Sequence, residues 1–226
     1  MWRCLRAALL ASVMVLTSCA MTDPDLRYLA LGDSYTIGEG VVPGERWPVQ
    51  LAARLRADGV ALNEPRVVAQ TGWTVSELSA AMDAEALEPA YDLVTLLIGV
   101  NDQYRRGEAG AYAVELRAML VRAVSLAGSR AERVILVSIP DWGVAAFAAE
   151  DPRGAAAIGS AINAFNAVAR DEARRAGVAF VDITGVSRAP AHRAQLVADR
   201  LHPSAAQYRA WAERVLPVAR AALAAP

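Results

Sequence analysis

Asp199 and His202 stand three residues apart in Asp199-Arg200-Leu201-His202-Pro203, near the carboxyl end of a chain of 226 residues. At that spacing a carboxylate and an imidazole can meet within one turn, the carboxylate holding Nδ1–H and leaving Nε2 free as a base. Pro203 keeps His202 out of a helix interior and suits the first turn of the helix that follows. An exposed histidine beside a helix cap is the plainer alternative. The other histidine, His192, lies in the polar stretch Ala191-His192-Arg193-Ala194-Gln195 with no carboxylate within five residues. It reads as a solvated surface side chain.

A histidine base activates a hydroxyl nucleophile. An apolar run ends in Gly32-Asp33-Ser34-Tyr35, which places Ser34 where a nucleophile at a strand end would stand; on its own the motif also reads as a turn. It is not the G-x-S-x-G elbow, because position 36 is Thr. Gly38-Glu39-Gly40 lacks the third glycine of a dinucleotide fingerprint. A second apolar run ends at Gln70-Thr71-Gly72. Without a Cβ, the Gly72 N–H can approach a ligand closely beside a helix start, where negative charge is favoured; the bland role is a loop glycine needing positive φ. A third run ends at Gly99-Val100-Asn101-Asp102, where Asn101 can aim its amide into a cleft or simply form an Asx-turn. Asp33 and Asp102 are assigned to holding their loops. Trp73, Tyr104, Trp142 and Phe147 are candidates for lining a pocket, or for ordinary packing.

Composition narrows the chemistry. All 23 basic residues are arginine, which excludes lysine Schiff bases and a Walker A lysine. A net charge of −1 gives no basic stripe for nucleic acid. Two histidines and two cysteines leave little for a transition-metal site. What remains is hydroxyl, carboxylate and single-histidine chemistry, which requires no metal or organic cofactor.

The elements that must position these residues alternate along the chain. Short apolar runs at Tyr28 to Leu31, Arg66 to Ala69, Leu93 to Ile98, Val134 to Ile139 and Val178 to Val181 lack polar alternation, as strands buried on both faces do. Helical segments are predicted near 47–57, 74–84, 108–128, 155–176 and 204–223. Thr74 and Glu77 form a capping box, and Asp58-Gly59 closes the first helix. Fivefold strand–helix alternation predicts a three-layer α/β/α sandwich with a central, mostly parallel, flavodoxin-like five-stranded sheet. In such a sheet ligands bind beyond the carboxyl ends of the strands, where Ser34, Gly72 and Asn101 fall.

The amino terminus reads as an address. Arg3 and Arg6 precede the apolar stretch Ala7 to Leu16, too short to span a bilayer of ~30 Å. Leu16-Thr17-Ser18-Cys19 resembles the lipobox of bacterial lipoproteins. That resemblance implies cleavage before Cys19, its diacylation, and, with Ala20 following, delivery to the periplasmic face of a Gram-negative outer membrane. An ordinary signal peptide or an uncut anchor is the alternative. The expected organisation is a signal over 1–18, lipidated Cys19 and tether over 19–26, and one domain over 27–226. With Cys4 discarded and Cys19 acylated, no disulfide forms.

Ser34, Gly72, Asn101 and Asp199-x-x-His202, in this order, resemble the blocks of the SGNH (GDSL-type) hydrolases over about residues 27–215. The resemblance implies Ser34 as nucleophile, His202 as general base and Asp199 as its orienter. It implies the Ser34 N–H, the Gly72 N–H and the Asn101 side chain as oxyanion donors. Tyr35 stands where the family commonly has Leu, and Thr71-Gly72-Trp73 departs from its usual surroundings; Trp73 suggests a bulkier wall beside the oxyanion hole. The expected protein is a monomeric or weakly associated, lipid-anchored serine esterase acting on small-molecule carboxylic esters. Thioesterase or transacylase chemistry uses the same intermediate, and a flavodoxin-like binder of a phosphate ligand is the alternative from another class.

Overall fold

Within residues 26–224, which the computed structural model describes, the apolar runs form strands. They are β1 (Tyr28–Gly32), β2 (Arg66–Ala69), β3 (Leu93–Leu97), β4 (Val134–Val137) and β5 (Ala179–Val181). The export signal, Cys19 and most of the tether lie outside the described residues. All five strands are parallel, in the order β2-β1-β3-β4-β5. β1, β3 and β4 are buried throughout, whereas the edge strands β2 and β5 are only partly covered. The unbroken apolar character of the central runs follows from layers on both faces.

The five predicted long helices are present as α2 (Trp47–Ala57), α3 (Val75–Ala84), α5 (Ala109–Leu126), α6 (Ala155–Ala176) and α8 (Ala205–Ala224). α2 packs on α8, while α3 and α6 pack on α5, giving the α/β/α layers expected. The Thr74 hydroxyl accepts from the Glu77 N–H and the Glu77 carboxylate accepts from the Thr74 N–H, so α3 opens with the complete capping box. Three short helices were not legible in the pattern: α1 (Ser34–Ile37), α4 (Val100–Tyr104) and α7 (Thr184–Arg188). At four or five residues each is barely longer than one period of 3.6 residues, so no repeat can show. Pro203 also departs from expectation. α8 begins at Ala205, with the Ser204 carbonyl accepting from the Tyr208 N–H, and Pro203 instead sits outside it in a bridge with Leu196.

Register places the site. Gly32 lies opposite Ala69 on one side and Leu97 on the other, so the ends of β2, β1 and β3 are level. The loops carrying Gly72, Ser34 and Asn101 therefore leave one edge side by side, about 4.8 Å apart per strand. In the order 2-1-3-4-5 the crevice opens between β1 and β3, where successive connections go to opposite faces. Gly32 is dictated by close approach: a Cβ there would fall 2.2 Å from Thr36 Oγ1 and 2.4 Å from the Leu97 carbonyl oxygen. A side chain would push β1 from β3 just below Ser34.

Candidate active site

Ser34 is the first residue of α1, so its N–H is among the donors that a helix start leaves without an intrahelical acceptor. Asp33 caps this helix, its Oδ1 accepting from the Tyr35 N–H at 3.0 Å. On the neighbouring loop Gly72 has φ +89°, while an added Cβ would meet only the end of Arg105, at 3.9 Å. Conformation rather than crowding demands glycine there. Arg105 Nη2 donates to the Gly72 carbonyl at 2.7 Å and Nη1 to Glu77 at 2.9 Å, fixing which way the Gly72 peptide faces. Asn101 lies in the first turn of α4, and its Nδ2 donates to the Trp73 carbonyl at 2.9 Å. The amide is thus oriented by the Gly72–Trp73 loop instead of closing an Asx-turn of its own. A primary amide has two N–H groups, and this bond uses one.

The Asp199–His202 pair is built locally. Asp199 Oδ1 accepts from the Leu201 and His202 N–H groups at 2.8 and 2.9 Å, and its Oδ2 lies 2.6 Å from His202 Nδ1. Partial burial pushes the Asp199 carboxyl up, but these bonds from His202 and Leu201 outweigh it and hold the group below the usual carboxylate range. An ionised Asp199 assigns the proton to Nδ1 and leaves Nε2 as the acceptor. The Tyr35 ring packs against the His202 ring at a centroid distance of 5.6 Å, adding a side wall to the imidazole.

Ser34, Gly72, Asn101 and His202 open into one pocket of about 200 Å³, walled also by Tyr35, Tyr104, Trp142, Phe147 and Leu201. The Ser34 hydroxyl is not hydrogen-bonded to the His202 ring, and catalytic bonds of this kind commonly tighten only when substrate binds. The GDSL-like lipase/acylhydrolase family model matches residues 30–210. The chain belongs to this family. It is a hydrolase with the GDSL-type fold. Among solved structures it is similar to TesA at 23% identity, covering 87% of this chain and 99% of that one, with a TM-score of 0.67. The lipase/acylhydrolase from Enterococcus faecalis is 23% identical over 85% of this chain and 94% of its own, with a TM-score of 0.64. Axe2, an acetylxylan esterase from Geobacillus stearothermophilus, is 22% identical over 86% and 94%, also at 0.64. A comparison with curated protein sequences finds no match.

In this GDSL-family pocket three of the four aromatic residues singled out, Tyr104, Trp142 and Phe147, form the wall. Trp73 does not line it. Its side chain packs on the core, and only its carbonyl reaches the site, as the acceptor for Asn101. The loop direction before the Thr74 cap, invisible locally, decided this. His192 is half-buried rather than solvated; its Nδ1 meets Gln195 Oε1 at 3.1 Å and its carbonyl accepts from Gln207, away from the pocket. Gln103, Arg105 and Arg153 support the site without any local signal in the sequence. Among the described residues no cluster of three or more His, Cys, Asp or Glu side chains is placed to hold a metal, and no helix is long and apolar enough to cross a membrane.

Asp33 and Asp102 sit on the two loops that carry Ser34 and Asn101. Asp102 accepts from the Val75 N–H at 3.3 Å, joining α4 to the start of α3, and burial raises its carboxyl to about 6. Asp33 is fully buried and its Oδ2 has no protein partner. Burial pushes Asp33 up to about 8, opposed by the Tyr35 N–H and aided by the charge on Asp102. The other titratable groups facing it are the buried phenols Tyr35, Tyr112 and Tyr208. Beside Ser34 this carboxyl is therefore held in its neutral form more readily than a free one. Because the folded state holds this proton longer than the unfolded chain, the stability it contributes is complete below about pH 4 and is lost as pH rises towards 8. Asp33→Asn keeps the cap and the neutral charge. Its melting temperature should match wild type near pH 4 and exceed it progressively to pH 8, by roughly 10–20 °C. A difference independent of pH would show that Asp33 is already ionised in the fold.

Proposed function

We propose that this chain is a serine esterase that hydrolyses carboxylic esters of small molecules through an acyl-enzyme on Ser34. The observation that carries the reading is the Asp199-held imidazole, with Nδ1 2.6 Å from the carboxylate, opening into the same pocket as Ser34. Ser34 Oγ attacks the ester carbonyl carbon while His202 Nε2 takes the hydroxyl proton. The carbonyl oxygen becomes an oxyanion, met by the Ser34 and Gly72 N–H groups and by the second N–H of Asn101. Collapse expels the alcohol oxygen, which receives that proton from His202. Water then adds to the acyl-enzyme, delivers a proton to His202, and the acid leaves as Ser34 recovers its hydrogen. A thioester would follow the same steps with a thiol as leaving group.

The lipobox-like Leu16-Thr17-Ser18-Cys19 supports a chain tethered by lipid at the periplasmic face of an outer membrane. The domain itself begins where Leu26 is pinned, its N–H donating to the Ala61 carbonyl at 3.1 Å, so a chain beginning at Thr22 should fold and retain activity. A fluorophosphonate tests the nucleophile: one adduct is expected on Ser34, absent in Ser34→Ala, and labelling elsewhere would move the active serine. Radiolabelled fatty acid fed to expressing cells should mark the wild type but not Cys19→Ser; equal labelling of both would end the anchor proposal.

A further inference from the structure

The pocket wall is held from behind by a residue that takes no part in the proposed chemistry. Tyr104, at the end of α4, meets Trp142 edge-on with ring centroids 5.4 Å apart. Tyr104 is 45% exposed, so little else keeps its ring in place. Arg153 supplies the hold. Its guanidinium lies 5.0 Å from the Trp142 ring centre and 5.6 Å from that of Tyr104. Its Nε and Nη2 grip both oxygens of Asp151 at 2.8 Å each. Its Nη1 reaches back to the Gln103 and Tyr104 carbonyls, at 3.5 and 3.4 Å, where α4 ends. On the buried side, Trp142 Nε1 donates to Gln103 Oε1 at 2.8 Å. One planar cation therefore joins both rings, an acidic partner and the end of the helix whose first turn carries Asn101.

We propose that Arg153 is a positioning residue that sets the size of the ester group the pocket accepts, by clamping Tyr104 onto Trp142. This rests on the pocket being the ester site. At about 30 Å³ for each water-sized group, a pocket of about 200 Å³ has room for about six or seven non-hydrogen atoms. The substrates are then esters whose wall-facing half is a short apolar chain or one small ring. Longer chains run into solvent and gain nothing further. The task suits arginine: a guanidinium stacks on aromatic faces and pairs a carboxylate through two N–H groups at once, whereas an ammonium is a point charge.

Two series test this, ethyl esters from acetate to octanoate and acetates from methyl to octyl, with kcat and KM measured separately. In wild type one series should gain about fourfold in kcat/KM per methylene until the pocket is full, then level off. Arg153→Ala should move the levelling point at least two carbons longer. It should also raise KM about three- to tenfold for the shortest ester, with kcat within about threefold. Arg153→Lys should resemble Arg153→Ala. Tyr104→Ala, at a position exposed enough to spare the fold, should shift the same levelling point, and the double variant should go no further. Profiles of Arg153→Ala or Tyr104→Ala that superpose on wild type would overturn the proposal. A wild type inactive on every ester would instead overturn the esterase reading on which it rests.

Discussion

Replacing His202 with alanine is expected to lower kcat on a simple ester by about 10⁴–10⁶-fold while the chain remains folded. A serine hydroxyl is a weak nucleophile without an adjacent base. The described pocket offers no second imidazole: His192 is turned towards Gln195 and Gln207. The fold should survive because the loop does not depend on the ring. Asp199 Oδ1 still receives the backbone N–H groups of residues 201 and 202, and the chain there still pairs through the bridge of Leu196 with Pro203. The variant should therefore melt within a few degrees of wild type and keep KM within a few-fold. His192→Ala should leave both kcat and its pH profile unchanged. Should the two variants exchange behaviour, the base is His192 and the Asp199 pairing is only a loop device.

The second large effect belongs to Asn101. Removing one oxyanion donor typically costs about 10²–10³ in kcat, or roughly 3–4 kcal/mol, because the bond strengthens as charge develops on the oxygen. Asn101→Ala should lose that factor with KM changed only a few-fold. The bond to the Trp73 carbonyl at 2.9 Å is lost as well. The loop nevertheless keeps its ties from Arg105 to the Gly72 carbonyl and from Val75 to Asp102, so the melting temperature should fall by no more than a few degrees. Asn101→Asp should be at least as damaging, since it sets a carboxylate where the oxyanion forms and also faces the Trp73 carbonyl with an acceptor. An early-melting Asn101→Ala that keeps near-normal kcat when folded would make Asn101 a loop tie and nothing more.

What was legible in the sequence shares a physical property: it is local. The five strands show because burial on both faces leaves runs such as Leu93 to Leu97 without a polar residue larger than Thr95. The Thr74–Glu77 box shows because capping acts across three residues. The Asp199–His202 pair is readable for the same reason, its partners being three apart. The contacts that turn these pieces into a site are of another kind. Asn101 meets the Trp73 carbonyl across 28 positions and Arg153 meets Tyr104 across 49, separations at which no periodicity or spacing carries information. The inward turn of Trp73, the short helices α1 and α4 that carry Ser34 and Asn101, and the clamp behind the aromatic wall depend on how the loops leave neighbouring strands and meet across the sheet edge. The residue types and their order along the chain were set by the sequence itself. Which of them face the same 200 Å³ of space was decided by sheet register and loop direction, because those depend on the whole packed core and not on any segment alone.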